Sequence, residues 1–171
     1  MRGDMDRMRR NLDLATNVAI LFVCILIGYV ALTRYILPGP TSERIDGPQI
    51  GTRLNIQGFP WEASNQYLVL ALSTQCHFCS ESAPFYQKLS AAAEAKGVPI
   101  IAVLPQPIEQ SKQYLETIGV QTQHQLQMQL SKINVVGTPT IVLTDRQGIA
   151  KNIWVGKLSG EQEADVLKRI E

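Results

Sequence analysis

The sequence predicts an α/β domain, with a central mixed sheet and flanking helices, preceded by one N-terminal transmembrane helix. Short apolar runs at Tyr67–Leu72 and Pro99–Leu104 each precede a helical pattern, and β-α-β-α order argues for a parallel sheet. Two β-branched runs, Thr140–Thr144 and Ile149–Val155, flank a polar turn closed by Gly148, which adds an antiparallel hairpin. The third observation is a stretch of twenty residues without a formal charge, Leu14 to Thr33.

At about 1.5 Å per helical residue, twenty residues span about 30 Å, one crossing of a bilayer. A cleaved signal peptide would end its apolar region at a small-residue site, whereas this run continues through Arg34-Tyr35-Ile36-Leu37. Arg2, Arg7, Arg9 and Arg10 precede the span and only Arg34 and Arg44 follow closely. The positive-inside rule then makes residues 1–13 a cytoplasmic N-terminus and residues 14–37 a single-pass anchor in the cell membrane. Everything after it faces the extracytoplasmic, periplasmic side. Cys24, inside the run, reads as a small apolar residue. Pro38-Gly39-Pro40 cannot continue a helix, so residues 38–50 read as a tether, its polar character persisting to about Gly58. Residues 51–171 form the domain.

Within the domain, Tyr67–Leu72 is apolar enough to be a strand buried on both faces. From Ser80 to Lys96, Phe85, Leu89, Ala92 and Ala93 recur at helical spacing, Gly97 caps the end, and Pro84 should kink the helix. Pro99–Leu104 is a second buried strand. Ile108, Leu115 and Ile118 mark a helix that Pro107 opens and Gly119 closes. Leu126, Met128 and Leu130 alternate like a strand, yet Leu126, Leu130 and Ile133 also fit a helix face, and the Gln-rich spacing favours the helix slightly. After the hairpin, Ser159 and Gln162 form a capping box, with acidic residues early and Lys168 and Arg169 late in a last helix.

Composition excludes several functions. Sixteen basic and fifteen acidic residues in 171 leave a net charge of +1, which offers no basic field for nucleic acid. Three cysteines are too few for a disulfide scaffold. In Cys76-His77-Phe78-Cys79 the spacing allows both sulfurs to bond when the second sits in the first turn of a helix. Unpaired N–H groups and the helix dipole would then favour a thiolate at Cys76. His77 either adds to this when protonated or is a solvent-facing loop residue. Zinc would need a second half-site, and the other histidine, His124, stands alone; haem attachment would need His where Ser80 stands. No metal or other cofactor is expected.

The Cys76–Cys79 pair after a buried strand, Pro84 five residues on, and Val136-Gly137-Thr138-Pro139-Thr140 before a hairpin together resemble thioredoxin, most of all its membrane-anchored TlpA/ResA-like branch. The resemblance covers about residues 50–171. It implies a thioredoxin fold, Cys76 as attacking thiol, Cys79 as resolving thiol, and His77 and Phe78 as the active-site loop. It also implies that Thr138 and a cis Pro139 meet the substrate. Three departures stand out: Gln75 replaces the usual Trp, Leu70 stands where thioredoxin has a buried acid, and the dipeptide is His-Phe. Glu62 and Glu81 are candidate proton carriers or plain surface charges.

The expected activity is thiol–disulfide exchange with protein dithiols and disulfides and with a membrane redox partner. One alternative is a peroxiredoxin-like thiol peroxidase, favoured by Ser73-x-x-Cys76 and opposed by Val69 where that motif places Pro. Another is a copper- or metal-binding module on a thioredoxin fold.

Overall fold

The computed structural model describes residues 2–31, with side chains for 16–30, and residues 47–170. The chain divides into two units, Met1–Arg44 and Ile45–Glu171. In the first, α1 is Arg2–Ala31. Its apolar side chains from Val18 to Val30 are exposed around the whole helix. Among the described residues no helix is long and apolar enough to cross a membrane. Charged residues occupy the helix as far as Asp13. The end of the expected anchor, residues 32–37, and most of the tether, residues 38–46, lie outside the described residues.

In the second unit, a continuous apolar sequence makes β1 (Gln66–Ala71), and alternate side chains enter two cores. Leu68, Leu70 and Leu72 join one cluster; Tyr67, Val69 and Ala71 join the other. Next come α2 (His77–Glu81), α3 (Ala83–Lys96), the fully buried β2 (Ile100–Leu104), α4 (Ile108–Thr117) and β3 (His124–Gln127). The chain ends with β4 (Thr140–Asp145), β5 (Ala150–Val155) and α5 (Gly160–Arg169). The sheet order is β3-β2-β1-β4-β5. β1, β2 and β3 run parallel, while β4 lies antiparallel to β1 and β5 antiparallel to β4.

Because β1, β2 and β3 advance across the sheet in one direction, right-handed crossovers place both intervening helices on the same face. Phe85, Tyr86 and Leu89 of α3, Leu115 of α4 and Val166 of α5 accordingly share one cluster. The other face is sealed by irregular chain: Leu54, Ile56 and Trp61 before the sheet, and Ile133 and Val135 before β4.

Two expectations are corrected and one left open between strand and helix is decided. The tether does not persist to Gly58: Leu54 and Ile56 are buried, and Gly51 N–H and Thr52 C=O bond Ala150 at 2.8 Å each. Apolar side chains within that polar stretch had a core face to cover. The segment around Leu126 opens as a strand, β3, followed by a 3-10 turn at Leu130–Ile133. Pairing with β2 decided it against the slight helical bias of the spacing, since β3 is a half-exposed edge strand. Finally, Pro84 does not kink a continuous helix but sits in the first turn of a new one. Ser82 ends α2, its backbone N–H and its hydroxyl both donating to Phe78 C=O at 3.1 and 2.8 Å.

The hairpin and last helix follow the sequence. Asp145 Oδ1 accepts from Gln147 N–H at 2.9 Å and Ile149 N–H at 3.0 Å, and Gly148 takes φ +75°. Ser159 and Gln162 close the capping box of α5 in both directions.

Candidate active site

The topology brings several chain turns to one end of the sheet. There β1 gives way to the Cys76 loop, β2 to Pro105-Gln106-Pro107, and β4 receives the chain from Thr138-Pro139. Gly156, just past β5, donates its N–H to Pro139 C=O at 2.7 Å and ties β5 to the same end.

Leaving β1, the chain turns at Ser73, whose carbonyl accepts Cys76 N–H at 3.1 Å. Cys76 is extended, with φ −89° and ψ 109°, and caps α2 through its own sulfur. Sγ accepts Cys79 N–H at 3.1 Å, a first-turn donor that it shares with Cys76 C=O at the same distance. Since α2 is five residues long before Ser82 interrupts it, this N–H, rather than an extended dipole, is the group placed to stabilise a thiolate on Cys76 once the pair is reduced.

Cys76 and Cys79 are joined in a disulfide, with Cα atoms 5.2 Å apart. Cys76 is half-buried, while Cys79 is 0% exposed and packs in the cluster of Leu70, Leu72 and Phe85. Thr138 C=O stands 3.3 Å from Cys76 Sγ, and the Thr138–Pro139 peptide is cis. Thr138 is half-buried and Pro139 buried, so the segment meets the pair through its backbone.

His77 and Phe78 both point outward, Phe78 being 54% exposed. His77 Nε2 lies 3.0 Å from Glu81 Oε1, and Lys157 Nζ lies 2.9 Å from Glu81 Oε2. The hydrogen bond from Lys157 is the chief reason that the Glu81 carboxyl is held below its usual range, with His77 adding to it and desolvation opposing. Glu81 is thereby a paired anion at the surface. Glu62 lies beside the start of β1, at the end of that strand away from the cysteines, where Tyr67 hydroxyl donates to Pro60 C=O. Leu70 is 0% exposed, and the buried polar side chains among the described residues are serines and threonines, with no carboxylate, amine or imidazole. Burial also pushes the Tyr86 hydroxyl well above the usual phenol range. No group of three or more metal-ligating side chains that could hold an ion occurs among the described residues.

Sequence reasoning missed the support of the loop before Cys76. Gln106 Nε2 donates to Ser73 Oγ at 2.9 Å, and Gln106 Oε1 accepts Thr74 N–H at 3.4 Å. Gln110 Nε2 lies 3.4 Å from Thr74 Oγ1, and Tyr114 hydroxyl meets Ser80 Oγ at 3.2 Å. The available signal was a lone polar residue between two prolines directly after a buried strand.

No family model matches the chain, and no curated protein matches it. Solved structures do. A thiol:disulfide interchange protein of the thioredoxin family from Chlorobium tepidum superposes with a TM-score of 0.54 at 16% identity, over 71% of this chain and 97% of its own. The thioredoxin domain of a thiol-disulfide oxidoreductase from Bacteroides vulgatus gives 0.53 at 21% identity, over 73% and 98%. A thiol:disulfide interchange protein from a Bacteroides species gives 0.51 at 21% identity, over 72% and 88%. The domain thus has a thioredoxin-like α/β fold.

Proposed function

We propose that this chain is a thiol–disulfide oxidoreductase that exchanges disulfides with extracytoplasmic proteins from a membrane anchor. One observation carries the reading: a half-exposed sulfur, Cys76, caps a helix start and is bonded to a fully buried partner, Cys79. In the reducing direction the Cys76 thiolate attacks a substrate disulfide, forms a mixed disulfide and releases one substrate thiolate. Cys79 sulfur then attacks Cys76 Sγ, its proton leaves, and the second substrate thiol departs. Two electrons pass from the pair to the substrate, and the oxidising direction reverses each step. Thr138 C=O, beside Cys76 Sγ, is placed to accept an N–H from an extended substrate strand.

The uncharged run from Leu14 to Thr33 and the exposed apolar side chains between Val18 and Val30 support the anchor. The excess of arginine before the run supports a periplasmic domain.

The test is mixed-disulfide trapping. Cys79→Ser should accumulate dithiothreitol-sensitive adducts with partner proteins on Cys76, and Cys76→Ser should not. Equal trapping by both variants, or by neither, would overturn the roles. An impermeant thiol reagent should label reduced Cys76 in intact cells, and labelling only after lysis would reverse the topology.

A further inference from the structure

We infer that Gln106 is a positioning residue for Cys76, acting through the loop Ser73-Thr74-Gln75; the inference rests on the oxidoreductase reading. This loop belongs to neither β1 nor α2, so its polar groups need partners from elsewhere in the fold. The Gln106 amide supplies two of them, its oxygen facing Thr74 N–H and its nitrogen facing Ser73 Oγ. Exchanging the amide oxygen and nitrogen would set donor against donor at Thr74, so the orientation is fixed by the contacts.

The clamp reaches the sulfur in one further step. Ser73 Oγ also accepts Gln75 N–H at 3.3 Å, and Ser73 C=O accepts Cys76 N–H at 3.1 Å. Gln106 is itself held, since Pro105 and Pro107 restrict the flanking backbone. Its own carbonyl accepts the hydroxyl of Ser111, a buried residue of α4, at 3.2 Å. The chain of contacts therefore runs from α4 through Gln106 and Ser73 to Cys76. Cys76 Sγ keeps the Cys79 N–H while this loop holds its place. A loosened loop gives up that bond for part of the time and weakens the thiolate.

The experiment uses the full chain in detergent with Cys24→Ser and Cys79→Ser, so that Cys76 is the one thiol left. The alkylation rate by iodoacetamide is measured against pH with and without Gln106→Met, which keeps length and removes both hydrogen bonds. Gln106→Met should slow alkylation about tenfold at pH 7 and raise the pH midpoint by about one unit. Leu115→Ala, a core change on α4, should lower Tm and leave the midpoint in place. Ser73→Ala should shift the midpoint in the same direction, and should carry the test if Gln106→Met does not fold. The double variant should lose less than the product of the two singles.

An unmoved midpoint in whichever of Gln106→Met and Ser73→Ala folds, or losses that multiply fully, would overturn the positioning role. The oxidoreductase reading is tested apart from this, by exchange with glutathione disulfide in the chain that keeps Cys76 and Cys79. Failure of that exchange alongside a shifted midpoint would remove the reading and keep the positioning role.

Discussion

Leu70→Asp puts a carboxyl where the structure holds a 0% exposed leucine in the same cluster as Cys79. Removing a buried leucine side chain costs about 2–5 kcal/mol, and burying a neutral carboxyl without a partner adds about 1–3 kcal/mol. Ionisation adds a pH-dependent part. Burial raises a carboxyl by about three units above an unfolded value near 3.9, and each unit is worth about 1.4 kcal/mol. The sign follows from linkage: a group whose folded pKa is raised leaves stability intact below the unfolded value and loses it as pH rises toward the folded one. The variant should therefore lose a further ~3 kcal/mol between pH 4 and pH 7, a large part of the ~5–15 kcal/mol that holds an ordinary domain. Urea unfolding of the oxidised chain at pH 4, 5.5 and 7 reads this out, with Leu70→Asn as the control that cannot ionise. A Leu70→Asp deficit that stays level with pH, parallel to that of Leu70→Asn, would refute the dry environment assigned to Cys79.

Four further outcomes follow from single positions. Ser159→Ala removes the acceptor of the α5 capping box and should cost about 1 kcal/mol, lowering Tm by about 3–5 °C in a scan. Gly148→Ala forces a side chain into φ +75° and sets its Cβ 2.6 Å from Trp61 Cε2, which should cost about 2–5 kcal/mol by urea unfolding. Gly97→Ala, at φ +68° with open space around it, should cost only the conformational part, about 1–2 kcal/mol. The Glu81 carboxyl should titrate below an unperturbed glutamate by NMR and move up in Lys157→Ala, because the Lys157 hydrogen bond is the main cause of its lowering. With a depressed folded value, the stability from that pairing is present above the unfolded value and is lost as pH falls through the folded one.

What was legible in the sequence was legible for local reasons. β1 and β2 are unbroken apolar runs, the Asp145–Gly148 turn needs a glycine at positive φ, and Ser159 and Gln162 stand at capping-box spacing. β3 was not, because its side chains are half-exposed and its conformation is decided by pairing of Ile101 through Leu104 with a segment more than twenty residues away. The face sealed by Leu54, Ile56 and Trp61 was hidden by the polar residues around them, which mark a loop whether or not it packs. At the site, the spacing of Cys76 and Cys79 was visible, but the Gln106 clamp spans more than thirty positions and leaves no periodic trace. Sequence placed the sulfurs; only the fold could place what holds them.

The same fold narrows how a proton can move during exchange. A charge on Cys79 Sγ would sit among Leu70, Leu72 and Phe85, and no buried carboxylate, amine or imidazole among the described residues is there to take its proton. Glu81 faces solvent and is committed to Lys157 and His77, and Glu62 lies at the other end of β1. In the proposed reaction the first step itself creates a base at the right moment: attack by Cys76 releases a substrate thiolate beside the pair. That thiolate, or water admitted with the substrate, is then the acceptor for the Cys79 proton, and resolution waits on it. In the proposed reaction the two cysteines would divide their roles by environment: the backbone N–H of Cys79 would favour charge on Cys76, and the apolar cluster would withhold it from Cys79 until a mixed disulfide has formed.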